Sequence, residues 1–111
     1  MTQVLGLFTT KQTAHLTGLS ERQLAYWDRT DIYQPSRRSE DVPRPYTRVY
    51  DFRDLVALRT LALLRKHVPL QELRRVGEWL HEHFEQPWSR LRFFVAGRTV
   101  YFVDPRTGVM V

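Results

Sequence analysis

Residues 9–29 read TTKQTAHLTGLSERQLAYWDR, and the four residues Thr17-Gly18-Leu19-Ser20 divide them into two short helical patterns. Gly18 permits a left-handed exit from the first pattern, and Ser20 with Gln23 three residues later matches a capping box that opens the second. Thr10, whose hydroxyl can cap free amides, marks the start of the first helix, with Ala14 and Leu16 pointing inward. The second helix is expected over 21–29, burying Leu24 and Trp27 and leaving Arg22, Gln23 and Tyr26 outward. Two short helices around a tight turn form a helix-turn-helix. The start of the second helix in that motif approaches the floor of the DNA major groove, so Arg22 and Gln23 are the candidate base readers. A solvated helix face is the competing reading for the same pair. Trp27 and Tyr33 read as mostly core, and Tyr26 as a phosphate contact.

Downstream, residues 34–51 lose helical periodicity and gain Pro35, Pro43 and Pro45, which predicts a stiffened loop or short hairpin with a strand over 47–50. Its arginines, Arg37, Arg38, Arg44 and Arg48, can hold positive charge against a DNA backbone, although Glu40 and Asp41 partly neutralise them. A third helix is predicted over 52–66 from Leu55, Leu58, Leu61 and Ala62. A fourth, with Pro69 in its first turn, carries Leu70, Leu73, Val76, Leu80 and Phe84, slightly weakened by Gly77. Its opening amides lie beside Lys66 and His67, a second candidate corner for phosphate. Pro87 is read as the end of the helical part. A β-hairpin follows, with strands over 91–95 and 99–103, a turn at Gly97-Arg98 and a second turn over 104–108. Phe93, Phe94, Tyr101 and Phe102 make this ribbon too apolar on both faces to stand alone in water, so it is expected to pack against something, as a dimer or partner interface.

Composition agrees with these assignments. The chain has 111 residues, a formal charge of +5 and a pI near 10.1, and lysine contributes only Lys11 and Lys66, so arginine supplies the excess and suits phosphate pairing. Cysteine is absent, which excludes disulfides, thiolate metal sites and cysteine nucleophiles. No segment approaches the roughly 18 apolar residues of a membrane span, and the N-terminus lacks a signal-peptide pattern, so the cytoplasm, in association with the nucleoid, is the expected location. In His81-Glu82-His83, neighbours two apart on a helix point about 200° away from each other, so no metal site is expected. His81 and Glu85 read instead as a surface i,i+4 pair. No phosphate loop or nucleophile elbow occurs, and neither an enzyme nor a cofactor is expected.

The segments Phe8-Thr9-Thr10-Lys11-Gln12-Thr13-Ala14-His15-Leu16-Thr17-Gly18-Leu19-Ser20 and Leu24-Ala25-Tyr26-Trp27-Asp28-Arg29 resemble the opening of the MerR family. Pro35-Ser36-Arg37, Arg48-Val49-Tyr50, Arg53-Asp54-Leu55 and the run from Leu64 to Arg74 continue in that family's order, so the resemblance spans about residues 8–80. It implies a winged helix-turn-helix that binds operator DNA as a dimer. The fold class expected is mainly α, about four helices with a short wing, followed by the C-terminal hairpin; residues 1–86 form the DNA-binding domain and 87–111 the hairpin element. On this resemblance the DNA-facing set comprises Thr10, Lys11, Ser20, Arg22, Gln23, Tyr26, Arg29, Arg37, Arg38, Arg44, Arg48, Tyr50, Lys66 and His67. Two departures stand out. Ala25 occupies the place of a customary arginine, shifting that contact toward Arg29, and the long dimerising helix of the family is replaced by the hairpin. The hairpin and the Leu-Ala-Tyr-Trp-Asp-Arg-Thr segment also resemble MerR-like antitoxins of VapB type, which implies repression of the chain's own operon, with a toxin or a downstream domain as further partner. The other readings are a protein-interaction module working through the hairpin, and head-to-tail or non-specific architectural binding along DNA.

Overall fold

The computed structural model describes residues 7–35 and 48–108. In chain order the elements are β1 (Phe8–Thr9), α1 (Thr10–Thr17), α2 (Glu21–Arg29), β2 (Val49–Tyr50), α3 (Phe52–Arg65), α4 (Leu70–His83), α5 (Pro87–Arg90), β3 (Arg92–Ala96) and β4 (Thr99–Val103). The architecture is mainly helical, with two small antiparallel strand pairs.

Each helix of the first half begins where a side chain can satisfy its free amides. Thr9, Ser20 and Asp51 are the N-caps of α1, α2 and α3, each in a reciprocal capping box with the residue three positions on. The cap of α1 is therefore Thr9 and not Thr10, which is the first helical residue. The expected bounds of α2 are those observed. Gly18 adopts φ +82° and returns its N–H to the Ala14 carbonyl, closing α1 within one residue. Leu16, expected inward, is 53% exposed, and Thr13 and Thr17 form the buried side of α1 instead. The Thr17 hydroxyl donates to the Thr13 carbonyl at 2.7 Å, so its burial leaves no orphan donor.

The core is gathered around α3, where Ala57, Leu58, Leu61 and Leu64 are buried. Leu24 and Trp27 of α2, Leu73 and Leu80 of α4, and Trp88 of α5 complete it. β1 pairs with β2, Phe8 opposite Tyr50 and Thr9 opposite Val49, tying the first residues of the domain to the end of the wing segment. Pro69 precedes α4 as its N-cap.

Pro87 does not end the helical part. It opens α5, which follows Gln86 in a left-handed conformation (φ +49°) and drives Trp88 into the core, 2% exposed. Gly77 lies on the facing side of α4, where an added Cβ would sit 3.2 Å from the Trp88 ring. The glycine thus gives up helix propensity for close approach to the indole. Gly77→Ala is expected to destabilise the fold by about 1–3 kcal/mol despite alanine's better helix propensity, because the ring must shift within a packed core. A thermal melt showing stabilisation would contradict this packing.

The hairpin lies one residue later at its start than expected, with Arg92 opposite Val103 and Ala96 opposite Thr99. Its alternation sends Phe93, Val95, Val100 and Phe102 inward onto the helices. Phe93 stacks on Trp88 with centroids 5.1 Å apart, and Phe102 packs edge-on to Phe84 at 5.6 Å. Beyond β4, Asp104 takes two guanidinium hydrogen bonds from Arg106, whose charge lies 5.0 Å from the Phe84 ring centre. That pairing holds the Asp104 carboxyl below the usual carboxylate range. The second turn is thereby fastened to the end of α4.

Candidate nucleic-acid interface

On α2 the burial of Leu24 and Trp27 leaves Arg22, Tyr26 and Arg29, at spacings of four and three, as one outward stripe. Arg22 and Arg29 are exposed, and Tyr26 is 45% exposed. Gln23 lies to the side of this stripe. Its Oε1 accepts from the Ser20 amide at 2.9 Å while Ser20 Oγ accepts from the Gln23 amide at 3.0 Å. Ser20 and Gln23 are thus first of all the cap that fixes where α2 begins. Such a cap contributes about 1 kcal/mol and sets the rotation at which Arg22 faces outward.

Asp28 is the surprise of this helix. It lies four residues after Leu24, on the buried face, and its side chain is 1% exposed. Arg48, at the return of the wing segment, donates from Nε to Asp28 Oδ2 at 2.7 Å and is itself only 20% exposed. The Arg48 guanidinium thus ties the start of the second described segment to α2. Tyr50, two residues on, is 1% exposed in the core. It pairs with Phe8 across β1–β2 and belongs to the core cluster. At the other end of the wing segment Pro35 is buried, and Tyr33 donates its hydroxyl to Asp54 Oδ1 at 2.6 Å. Burial, reinforced by that carboxylate, raises the Tyr33 phenol well above its ordinary range and keeps it a neutral donor. The described residues on either side of segment 36–47 are therefore tied down, Arg48 to α2 and Tyr33 to α3.

Arg37, Arg38 and Arg44 lie outside the described residues. Lys11 is exposed in the first turn of α1, with Thr10 half-buried beside it. Lys66 and His67 are exposed between α3 and α4, ahead of an α4 N-terminus that has no side-chain cap. An uncapped amide cluster beside two basic side chains suits an anion. Of the hairpin residues expected at a partner interface, Phe93 and Phe102 are spent on the chain's own core. Phe94 and Tyr101 are cross-strand neighbours on the outer face, 42% and 37% exposed. The local partner of the α4 end is His83, stacked on Trp79 at 4.0 Å with Nδ1 2.8 Å from the Trp79 carbonyl oxygen.

Residues 8–78 match the family described as MerR HTH family regulatory protein. The chain belongs to this family. It is 32% identical over 87 residues to uncharacterized HTH-type transcriptional regulators of Mycobacterium tuberculosis (strain H37Rv) and Mycobacterium bovis. The aligned part is 78% of this chain and 38% of each relative, so the chain spans under two fifths of the length of the curated relatives it matches. The MerR match accounts for α1 through most of α4, and the segment from α5 to the hairpin lies beyond it. Among the described residues no helix is long and apolar enough to cross a membrane.

Asp28 and Tyr33 are the site-forming residues that sequence reasoning assigned no polar role. A signal existed for the first: Leu24 and Asp28 share one helical face, so a buried Leu24 implies a buried carboxylate in need of a cation.

Proposed function

We propose that this MerR-family chain recognises a specific double-stranded DNA sequence and represses transcription from its own promoter. The observation that carries the reading is the outward stripe Arg22, Tyr26 and Arg29 on a helix whose start is fixed by a capping box and whose flank is tied to the wing through Asp28 and Arg48. Arg22 lies in the first turn of α2, where a guanidinium can bond a guanine edge bidentately. Tyr26 and Arg29 reach phosphates, while Lys66, His67 and the α4 N-terminus hold a second stretch of backbone. Lys11 and Thr10 supply a further backbone contact at the start of α1. Work of this kind takes place in the cytoplasm, on the nucleoid. Footprinting on DNA upstream of the gene, paired with a promoter-reporter assay, tests the reading. A discrete protected site whose occupancy lowers reporter output supports it, and uniform protection at all sequences contradicts it.

The outer hairpin face favours a second element of the reading, self-association. Phe94 and Tyr101 form an exposed aromatic pair on a two-stranded sheet, and a second copy would cover it and place two recognition helices on one operator. A toxin or a downstream domain is the competing occupant. Phe94→Glu is expected to convert a dimer to a monomer in light scattering and to leave the thermal midpoint nearly unchanged, since the side chain packs on nothing within the chain's core. A dimer that survives the charge locates the interface elsewhere.

A further inference from the structure

The C-terminal hairpin has one edge with unused backbone groups. Gly97, at φ +64°, opens a two-residue turn, and Ala96 stands opposite Thr99. In such a hairpin the pair flanking the turn is hydrogen-bonded, and bonded pairs then alternate with unbonded ones. Phe94 with Tyr101 and Arg92 with Val103 therefore exchange their bonds inside the hairpin. The amides and carbonyls of Phe93 and Val95 point the other way, out of the edge of β3. Among the described residues neither makes a backbone bond to another element.

β3 is also the more open of the two strands. None of its five residues is buried, whereas Phe102 of β4 is buried against Phe84 and Trp79, and β4 runs on into the turn that Arg106 fastens. Natural edge strands are blunted by a charge, a proline or a bulge. From Phe93 to Ala96 β3 has none of these: the run is Phe-Phe-Val-Ala, and its register with β4 is unbroken.

We propose that β3 pairs antiparallel with β3 of a second copy about a two-fold axis at Phe94, joining the two-stranded sheets of both copies into a single sheet. This contact rests on the self-association read above and specifies how it is made. The strand is self-complementary in that register. Phe93 meets the partner's Val95, and Val95 meets the partner's Phe93, so every outward amide finds an outward carbonyl. Phe94 falls opposite its own symmetry mate in an unbonded position, where side chains lie closest, and its ring, 42% exposed in the single chain, is taken from water. Arg92 falls opposite the partner's Ala96, so no like charges meet within the strand. An isologous contact of this kind closes at two copies. Phe94→Glu would set two carboxylates against each other at this seam.

The test is disulfide trapping in the full chain, once its mass in solution has been measured by light scattering. The chain has no cysteine, so one introduced thiol reports on the seam alone. Phe94→Cys is expected to cross-link under mild oxidation, because the Cα atoms of an unbonded antiparallel pair lie about 4.5 Å apart, within disulfide reach. Tyr101→Cys is separated from its mate by three strand spacings, about 14 Å, and should cross-link at least about tenfold more slowly. Both side chains lie on the outer face of the hairpin, away from the core. A second measurement needs no variant: at concentrations where the dimer forms, hydrogen exchange at the Phe93 and Val95 amides should slow, while that at the Val100 amide on the opposite edge should not. A dimer in which Tyr101→Cys cross-links as readily as Phe94→Cys, or in which the Phe93 and Val95 amides exchange as fast as in the monomer, would overturn the edge pairing and leave self-association through another surface standing. A chain that stays monomeric up to about 0.1 mM removes both readings.

Discussion

Arg22→Ala is expected to lower affinity for the specific operator by about tenfold to a hundredfold, the ~1–3 kcal/mol associated with one bidentate contact to a base. The side chain is exposed in the first turn of α2, so its removal should leave stability within about 0.5 kcal/mol. The loss should also be selective. Binding to unrelated duplexes should fall far less, because their contacts are to phosphate. Tyr26→Phe and Arg29→Ala should instead weaken specific and non-specific complexes alike, Arg29→Ala making the salt dependence shallower by about one unit of slope. Fluorescence anisotropy on matched duplexes distinguishes the two patterns. Equal losses on specific and scrambled DNA for Arg22→Ala would place that residue on the backbone and move base reading elsewhere on the domain.

Asp28→Ala is expected to produce the largest loss of stability among the polar substitutions, about 3 kcal/mol, at the lower end of the range for breaking a buried pair. The reasons are geometric. The carboxylate is 1% exposed, Arg48 is 20% exposed, and deleting the acid removes a buried anionic partner of a guanidinium that water only partly reaches. For a domain of this size that loss corresponds to a fall of roughly 12 °C or more in the melting temperature. Because Arg48 joins the end of the wing to α2, DNA affinity should fall as well, even when measured well below the melting point. A double-mutant cycle with Arg48→Ala gives the coupling directly, and an interaction energy below about 0.5 kcal/mol would show that the pair acts independently of its 2.7 Å contact.

Much of this architecture was legible in the residues. Ser20 and Gln23 placed the start of α2 because a capping box is a local device, satisfied by groups three residues apart. The apolar repeats of α3 and α4 and the Gly97-Arg98 turn were equally local signals. What escaped were features decided across the chain. β1 is two residues long and exists only because Tyr50 and Val49 arrive beside it, so it carries no period of its own. Leu16 looked like core, yet α1 docks on α3 through the small, hydroxylated side of Thr13 and Thr17, leaving the leucine in water. Pro87 was ambiguous in principle, since proline both stops a helix and suits the first turn of the next one. Here Gln86 turns the chain through a left-handed conformation and the second use prevails.

The site shows the same division. Exposure of Arg22, Tyr26 and Arg29 follows from the helical period alone, whereas Arg48 and Tyr50 could be sorted only with their tertiary partners in view. Both looked like members of a basic, aromatic wing. One proves to be the tie between wing and helix, and the other part of the core. The hairpin aromatics divide for a simpler reason. Alternation on a strand made one face available to the helices, and Phe93 on that face stacks on Trp88 of α5.

The measurement that most directly tests the central claim, that α2 and the anchored wing read a DNA sequence, is anisotropy binding of the full chain to DNA from upstream of its own gene and to a scrambled duplex, across a range of salt. The expected result is a preference of about a thousandfold or more for the native sequence, both complexes weakening as salt rises. Equal affinity for the two duplexes, or no binding to either at low salt, would contradict it.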